Sequence, residues 1–140
     1  MTYVAAELRR RVRERAHLRC EYCLMNEDDV FWTHQVDHIY AEKHGGETVE
    51  DNLCLSCADC NRYKGSDLCS IDPLTGEIVP LFHPRRDTWA EHFRVADGEI
   101  QALTPQGRIT IRLLRLNDEE RVVERQRLWG LGRYQPPQND

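Results

Sequence analysis

Val4, Leu8 and Val12 recur at four-residue intervals through a segment without glycine or proline, which predicts a helix over Ala5–His17. From Phe31 to Leu55 the apolar residues come in short runs around a long polar loop bent at Gly45-Gly46, the pattern of short strands. Cys57–Lys64 then opens a helix, with Ser56 as its expected N-cap. Pro73-Leu-Thr-Gly76 separates Ile71 from Ile78-Val79 and predicts a hairpin, and Ala96-Asp-Gly-Glu99 does the same between Phe93-Arg-Val95 and Ile100-Gln-Ala-Leu103. Two helices are expected to close the chain. Thr104-Pro105 supplies an N-cap and first turn for the segment with Ile109, Ile111, Leu113, Leu114 and Leu116. Asn117-Asp-Glu-Glu120 reads as a capping box for a helix that runs to Trp129 and ends at Gly130 and Gly132.

This alternation of elements gives an α+β fold. At 140 residues one domain is the simplest expectation, divided into an N-terminal helical region 1–19, a central segment 20–66, an extension 67–135 of hairpins and helices, and a frayed tail 136–140. A charged content of 31% limits the core, so a staple is needed. No run approaches the roughly 18–20 apolar residues of a membrane span, and Met-Thr-Tyr-Val-Ala-Ala-Glu lacks a signal-peptide pattern. The expectation is a cytoplasmic protein with no membrane contact. In a reducing compartment six cysteines point to metal rather than to disulfides.

Four of the six fall into Cys20-Glu-Tyr-Cys23 and Cys57-Ala-Asp-Cys60. Two residues between thiolates let both sulfurs of one turn reach a single tetrahedral ion, and two such turns complete its shell. Zn²⁺ is the ion expected, and a shell of four thiolates marks it as structural. The thirty-three residues between the pairs must themselves fold. Redox pairs or plain buried thiols are the weaker alternative. Cys54 and Cys69 fit neither pair and are expected as small buried hydrophobes.

Charge complicates any nucleic-acid reading. The chain is net −5, yet residues 1–25 hold six arginines against three glutamates, and residues 26–51 hold eight acids against Lys43. The arginines of the first helix are expected on a solvated face, with Glu7 pairing to Arg11.

Between the cysteine pairs lie Val36-Asp-His-Ile39, Gly45-Gly46, Asp51-Asn-Leu53 and Cys60-Asn-Arg-Tyr-Lys-Gly65. In this order they resemble the HNH endonucleases, in the subgroup whose ββα-metal motif is clamped by a four-cysteine zinc site. The likeness covers about a third of the chain, from Cys20 to Ser66. Ile71-Asp-Pro, Leu81-Phe-His-Pro-Arg85, Trp89, His92-Phe93 and Leu103-Thr-Pro-Gln-Gly-Arg108 also look like the extension on small stand-alone bacterial HNH proteins. The resemblance implies a zinc-stapled ββα core and an endonuclease acting on nucleic acid, double-stranded DNA foremost. It implies His38 as general base, Asp37 and Asn61 as ligands of a catalytic divalent metal, and Asn52 as the residue that ties the loop to the backbone. The third letter of the motif is Asn61 where histidine is commoner.

Phosphodiester hydrolysis suits these residue types. An imidazole with a pKa near 6.5 takes a proton at neutral pH. One carboxylate and one amide oxygen suit a single hard ion such as Mg²⁺ or Mn²⁺, separate from the zinc. Because neighbours on a regular strand alternate faces, the strand is expected to end, bulge or twist at Asp37-His38. His34 is expected to pack across the strands, and His44 to be solvated with Glu42, Glu47, Glu50 and Asp51 in an acidic loop. Arg62 and Lys64 either hold phosphates or form helix-surface salt bridges, and both readings stand. Arg85, Arg86 and Arg108 are lesser candidates for backbone contacts, while His83 and His92 are expected to stabilise the extension. The alternative to a nuclease is a non-catalytic zinc module that binds nucleic acid or protein.

Overall fold

A computed structural model describes residues 3–137. The expected tail at 136–140 thus lies largely outside the described residues. The chain forms two compact units, residues 1–66 and 67–140.

In the first unit helix α1 (Ala6–Arg15) buries Val12 and stops where His17 and Leu18 take left-handed conformations, φ 54° and 59°. Strands β1 (Gln35–His38) and β2 (Leu53–Ser56) pair antiparallel in unbroken register, with Asp37 opposite Cys54 and His38 opposite Leu53. Val4, Val12, Ala16, Leu53 and Leu55 form the buried core between α1 and β2, with Leu8 and Val36 packed against it. Helix α2 (Ala58–Lys64) follows β2 directly. Its N-cap is Cys57, whose sulfur accepts from the Cys60 N–H at 3.4 Å, and Ser56 does not take that place. The α1 arginines are bonded inside the unit: Arg10 to Glu7, not the expected Arg11 to Glu7; Arg13 to both oxygens of Glu27; Arg15 to the carbonyls of Glu50 and Leu53.

The second unit contains the two expected hairpins, β3 (Cys69–Ile71) with β4 (Ile78–Pro80) and β5 (Phe93–Ala96) with β6 (Glu99–Ala102); the short helix α3 (Trp89–His92) leads into β5. Helix α4 (Pro105–Leu113) starts at Thr104, whose hydroxyl accepts from the Gly107 N–H as the pattern predicts. The capping box expected at the start of α5 (Glu119–Gly130) does not form. Asn117 instead accepts from the Ile100 N–H and donates to the Ile100 carbonyl, so a tertiary bridge to β6 outcompetes the local cap. Arg125 is buried in α5 and donates to the Gly98 and Leu116 carbonyls. Among the described residues no helix is long and apolar enough to cross a membrane.

Candidate functional site

The zinc-type cluster is built by two turns. After Cys20 the chain reverses, the Cys20 N–H meeting the Met25 carbonyl and Leu24 adopting φ 67°, so that Cys23 swings back beside Cys20. The Glu21 N–H donates to the Leu55 carbonyl and the Glu21 carboxylate accepts from the Leu55 N–H, which joins this turn to β2. Cys57 and Cys60 come from the start of α2. All four cysteines are buried and their sulfurs lie within 4.8 Å of one another. The Cys23 and Cys57 sulfurs are 3.7 Å apart. Thiolates at the usual Zn–S length span a tetrahedral edge of about 3.8 Å. As bare thiols this arrangement resists ionisation: Cys57 is pushed up by its hydrogen bonds with Cys20 and Cys23, and Cys60 by burial. A cation of Zn²⁺ type offsets both effects, so the donor set, spacing and burial fit that ion.

Of the remaining thiols, Cys54 is buried beside the Tyr22 hydroxyl, and burial pushes it up to about 12. Cys69 is exposed, against expectation, because β3 sits in a two-stranded hairpin that leaves it at an edge.

The second cluster surrounds the end of β1. β1 stays in regular register with β2 through both Asp37 and His38, without a bulge, and ends only after that pair. Asn52 is buried just before β2 and accepts from the Tyr40 N–H at 2.9 Å while donating to the carbonyls of Tyr40 at 3.0 Å and Glu47 at 2.8 Å. Gly46 passes so close to Tyr40 that a Cβ there would collide with the Tyr40 carbonyl. The loop of residues 40–52 is thereby closed on its own backbone. His38 Nε2 faces into it, 2.9 Å from the Thr48 hydroxyl and 3.7 Å from a Glu42 carboxylate oxygen.

Asn61 lies on α2 and donates from Nδ2 to the Gln35 side chain at 2.7 Å, which leaves its amide oxygen as the end suited to a cation. Gln35 and Asp37 share one face of β1 by strand alternation. Asp37 is half-buried, and burial pushes its carboxyl above the usual range, while the charge of Lys64, the His38 backbone N–H and the His38 charge act the other way. A carboxylate and an amide oxygen are ligand types that suit a hard divalent ion. Among the described residues no second group of three His, Cys, Asp or Glu side chains gathers as the cysteines do.

Several expected candidates stand elsewhere. Lys64 was a candidate phosphate ligand; it is buried, and its ammonium donates to the Ile39 carbonyl at 2.9 Å, because that face of α2 packs on the end of β1. Arg62 stays exposed, stacked 4.7 Å from the Tyr63 ring centroid and 3.6 Å from Asp59. Arg108 forms a two-pronged ion pair with the buried Asp72. His34 is buried and donates from Nε2 to the Met25 carbonyl. His44 is exposed and donates to the Ser66 carbonyl. His83 accepts from the N–H groups of Arg85 and Arg86, and His92 meets the Thr104 hydroxyl, so both serve the second unit internally. Thr48 was not singled out from the sequence at all; a lone threonine in a polar loop carries no signal until Asn52 is seen to close that loop.

No curated protein and no solved structure matches the chain. The protein-family model for HNH endonuclease matches residues 20–67, which is the span of the cysteine cluster, both strands and α2. The order of motifs and the matched span agree: residues 20–67 are similar to the HNH endonuclease family.

Proposed function

We propose that the chain is a metal-dependent endonuclease that hydrolyses phosphodiester bonds in double-stranded DNA, with His38 as general base and one divalent ion, Mg²⁺ or Mn²⁺, held by Asp37 and Asn61. The observation that carries this reading is the pairing of Asn61 with Gln35, which turns the Asn61 amide along the face of β1 that bears Asp37. His38, the last residue of the same strand, accepts the proton of the attacking water. Asp37 contributes the negative charge, and Asn61 a neutral oxygen, to the ion's shell. When bound, such an ion neutralises phosphoryl oxygens and the leaving 3′-oxygen. Asn52 holds the loop that flanks the imidazole. Zn²⁺ on Cys20, Cys23, Cys57 and Cys60 has no open position and serves the fold alone. Arg62 is the one exposed α2 cation retained as a candidate phosphate contact. A reducing cytoplasm is the compartment that would keep such a thiolate shell ready for the ion.

The test is cleavage of supercoiled plasmid, single-stranded DNA and RNA under Mg²⁺ and Mn²⁺, by wild type and His38→Ala. The expected result is EDTA-sensitive nicking of the plasmid that falls at least about 100-fold in the variant, with circular dichroism unchanged. Undiminished cutting by His38→Ala refutes the base assignment. The acidic balance of the chain, net −5, favours a second reading, a zinc module that binds nucleic acid or a protein partner without cutting. Binding of DNA with no cleavage under any divalent ion selects it.

A further inference from the structure

The only side-chain hydrogen bond described for His38 is with Thr48, whose hydroxyl lies 2.9 Å from Nε2. Thr48 is half-buried and sits between two fixed points. On one side the Glu47 carbonyl is held by Asn52 Nδ2, and on the other the Asn52 N–H donates to the Val49 carbonyl at 3.0 Å. Gly46, pressed against Tyr40, removes slack from the approach. The hydroxyl position is therefore set by the closed loop and not by a freely rotating surface side chain. A threonine hydroxyl can donate or accept, so a neighbouring charge decides the direction. The Glu42 carboxylate oxygen is 3.7 Å from the same Nε2, and a negative group there favours the proton on that nitrogen.

We propose that Thr48 is the positioning residue of this site: its hydroxyl accepts from Nε2–H of His38, fixes the imidazole, and leaves Nδ1 as the nitrogen that takes the proton. The catalytic part of this proposal rests on the nuclease reading; the hydrogen bond and the tautomer do not. Nε2 keeps its proton while Nδ1 gains one from the attacking water, whose oxygen forms the new bond to phosphorus as the P–O3′ bond breaks, its electron pair leaving on the 3′-oxygen, which takes a proton from solvent.

The test has two arms, both on the zinc-loaded full chain. In the first, histidine nitrogens are labelled with ¹⁵N and observed at about pH 8, above the ordinary imidazole value, with His38→Gln to assign the signals. His38 Nε2 is expected to give a protonated, pyrrole-type signal and Nδ1 a pyridine-type one, with the two tautomers mixing in Thr48→Val. A pyridine-type Nε2 in wild type overturns the proposal. In the second arm, Thr48→Val is expected to lower kcat about tenfold with KM within about twofold, as loss of orientation predicts, and Thr48→Ser to restore kcat. Equal kcat for wild type and Thr48→Val, or no rescue by serine, overturns the positioning role. A wild type that cuts no substrate strikes down the nuclease reading instead, and the nitrogen signals still decide the bond.

Discussion

Replacing Cys57 by serine isolates the metal's contribution to the fold. Cys57 has two roles: it supplies one of the four clustered sulfurs, and it caps α2 by accepting from the Cys60 N–H. Serine is among the best N-caps, so Cys57→Ser keeps the second role and removes the thiolate. The first unit has 66 residues, and Val4, Val12, Ala16, Leu53 and Leu55 are packed together in its core. A core in a unit this small supplies about 3–5 kcal/mol. A structural zinc contributes about 10–16 kcal/mol. Losing even half of that, about 5–8 kcal/mol by the same scale, exceeds what the core can supply, so α2 and the turn at Cys20 should come apart. The assay is zinc content per chain together with hydrogen exchange at the α2 amides, Asn61 and Gly65, which donate to Cys57 and Asn61 carbonyls. Loss of bound zinc and of exchange protection in α2 is expected. A variant that retains one zinc, or protects these amides as wild type does without it, refutes the reasoning. Cys57→Ala should be worse by about 1 kcal/mol, the usual value of a lost cap.

Asn52→Ala removes three part-buried hydrogen bonds at once. It should cost about 2–4 kcal/mol in urea unfolding and open residues 40–51 to proteolysis; a cost under about 1 kcal/mol would mean that the loop is held by something else. In the second unit the Arg108 guanidinium holds the Asp72 carboxyl well below the usual carboxylate range. Its stabilisation is fully present above the unfolded value near pH 4 and is lost as pH falls through the depressed folded value. Thermal midpoints of wild type and Asp72→Asn should therefore differ by a constant amount from about pH 7 to 5 and converge progressively below about pH 4. A gap that stays constant down to about pH 2 would show that the pair is not the source.

The cysteine pairs, both hairpins and the Thr104 cap were legible because each depends on residues a few positions apart. The misreadings share a different cause. Ser56 and Cys57 are equally plausible caps in local terms, and the tie is broken by the sulfur cluster, whose other half lies more than thirty residues away. Asn117 could cap α5, but the edge of β6 offers it two backbone partners at once. Lys64 carries a charge that reads as surface, yet α2 has few residues to define a buried face, and the Ile39 carbonyl makes burial tolerable. Asp72 and Arg108, 36 residues apart, meet only when the second unit has formed.

The same internal bonding bears on how the domain can hold a polyanion. Residues 1–25 hold six arginines, but in the fold Arg10, Arg13 and Arg15 are bound to Glu7, Glu27 and the Glu50 and Leu53 carbonyls, and Lys64 is buried. The eight acids of residues 26–51 lie on the stretch that carries Asp37 and His38. Long-range attraction is thus weak around the proposed site, and under the nuclease reading attachment depends on the few groups of that site. Each phosphate neutralised lowers the slope of log K against log salt by about 0.9. With the scissile phosphate and one neighbour engaged, the slope for duplex binding should be about −2, measured with His38→Ala under Mg²⁺ so that no cutting occurs. A slope steeper than about −4 would reveal a basic track that this arrangement of ion pairs does not provide, and would move the DNA-binding surface away from residues 20–66.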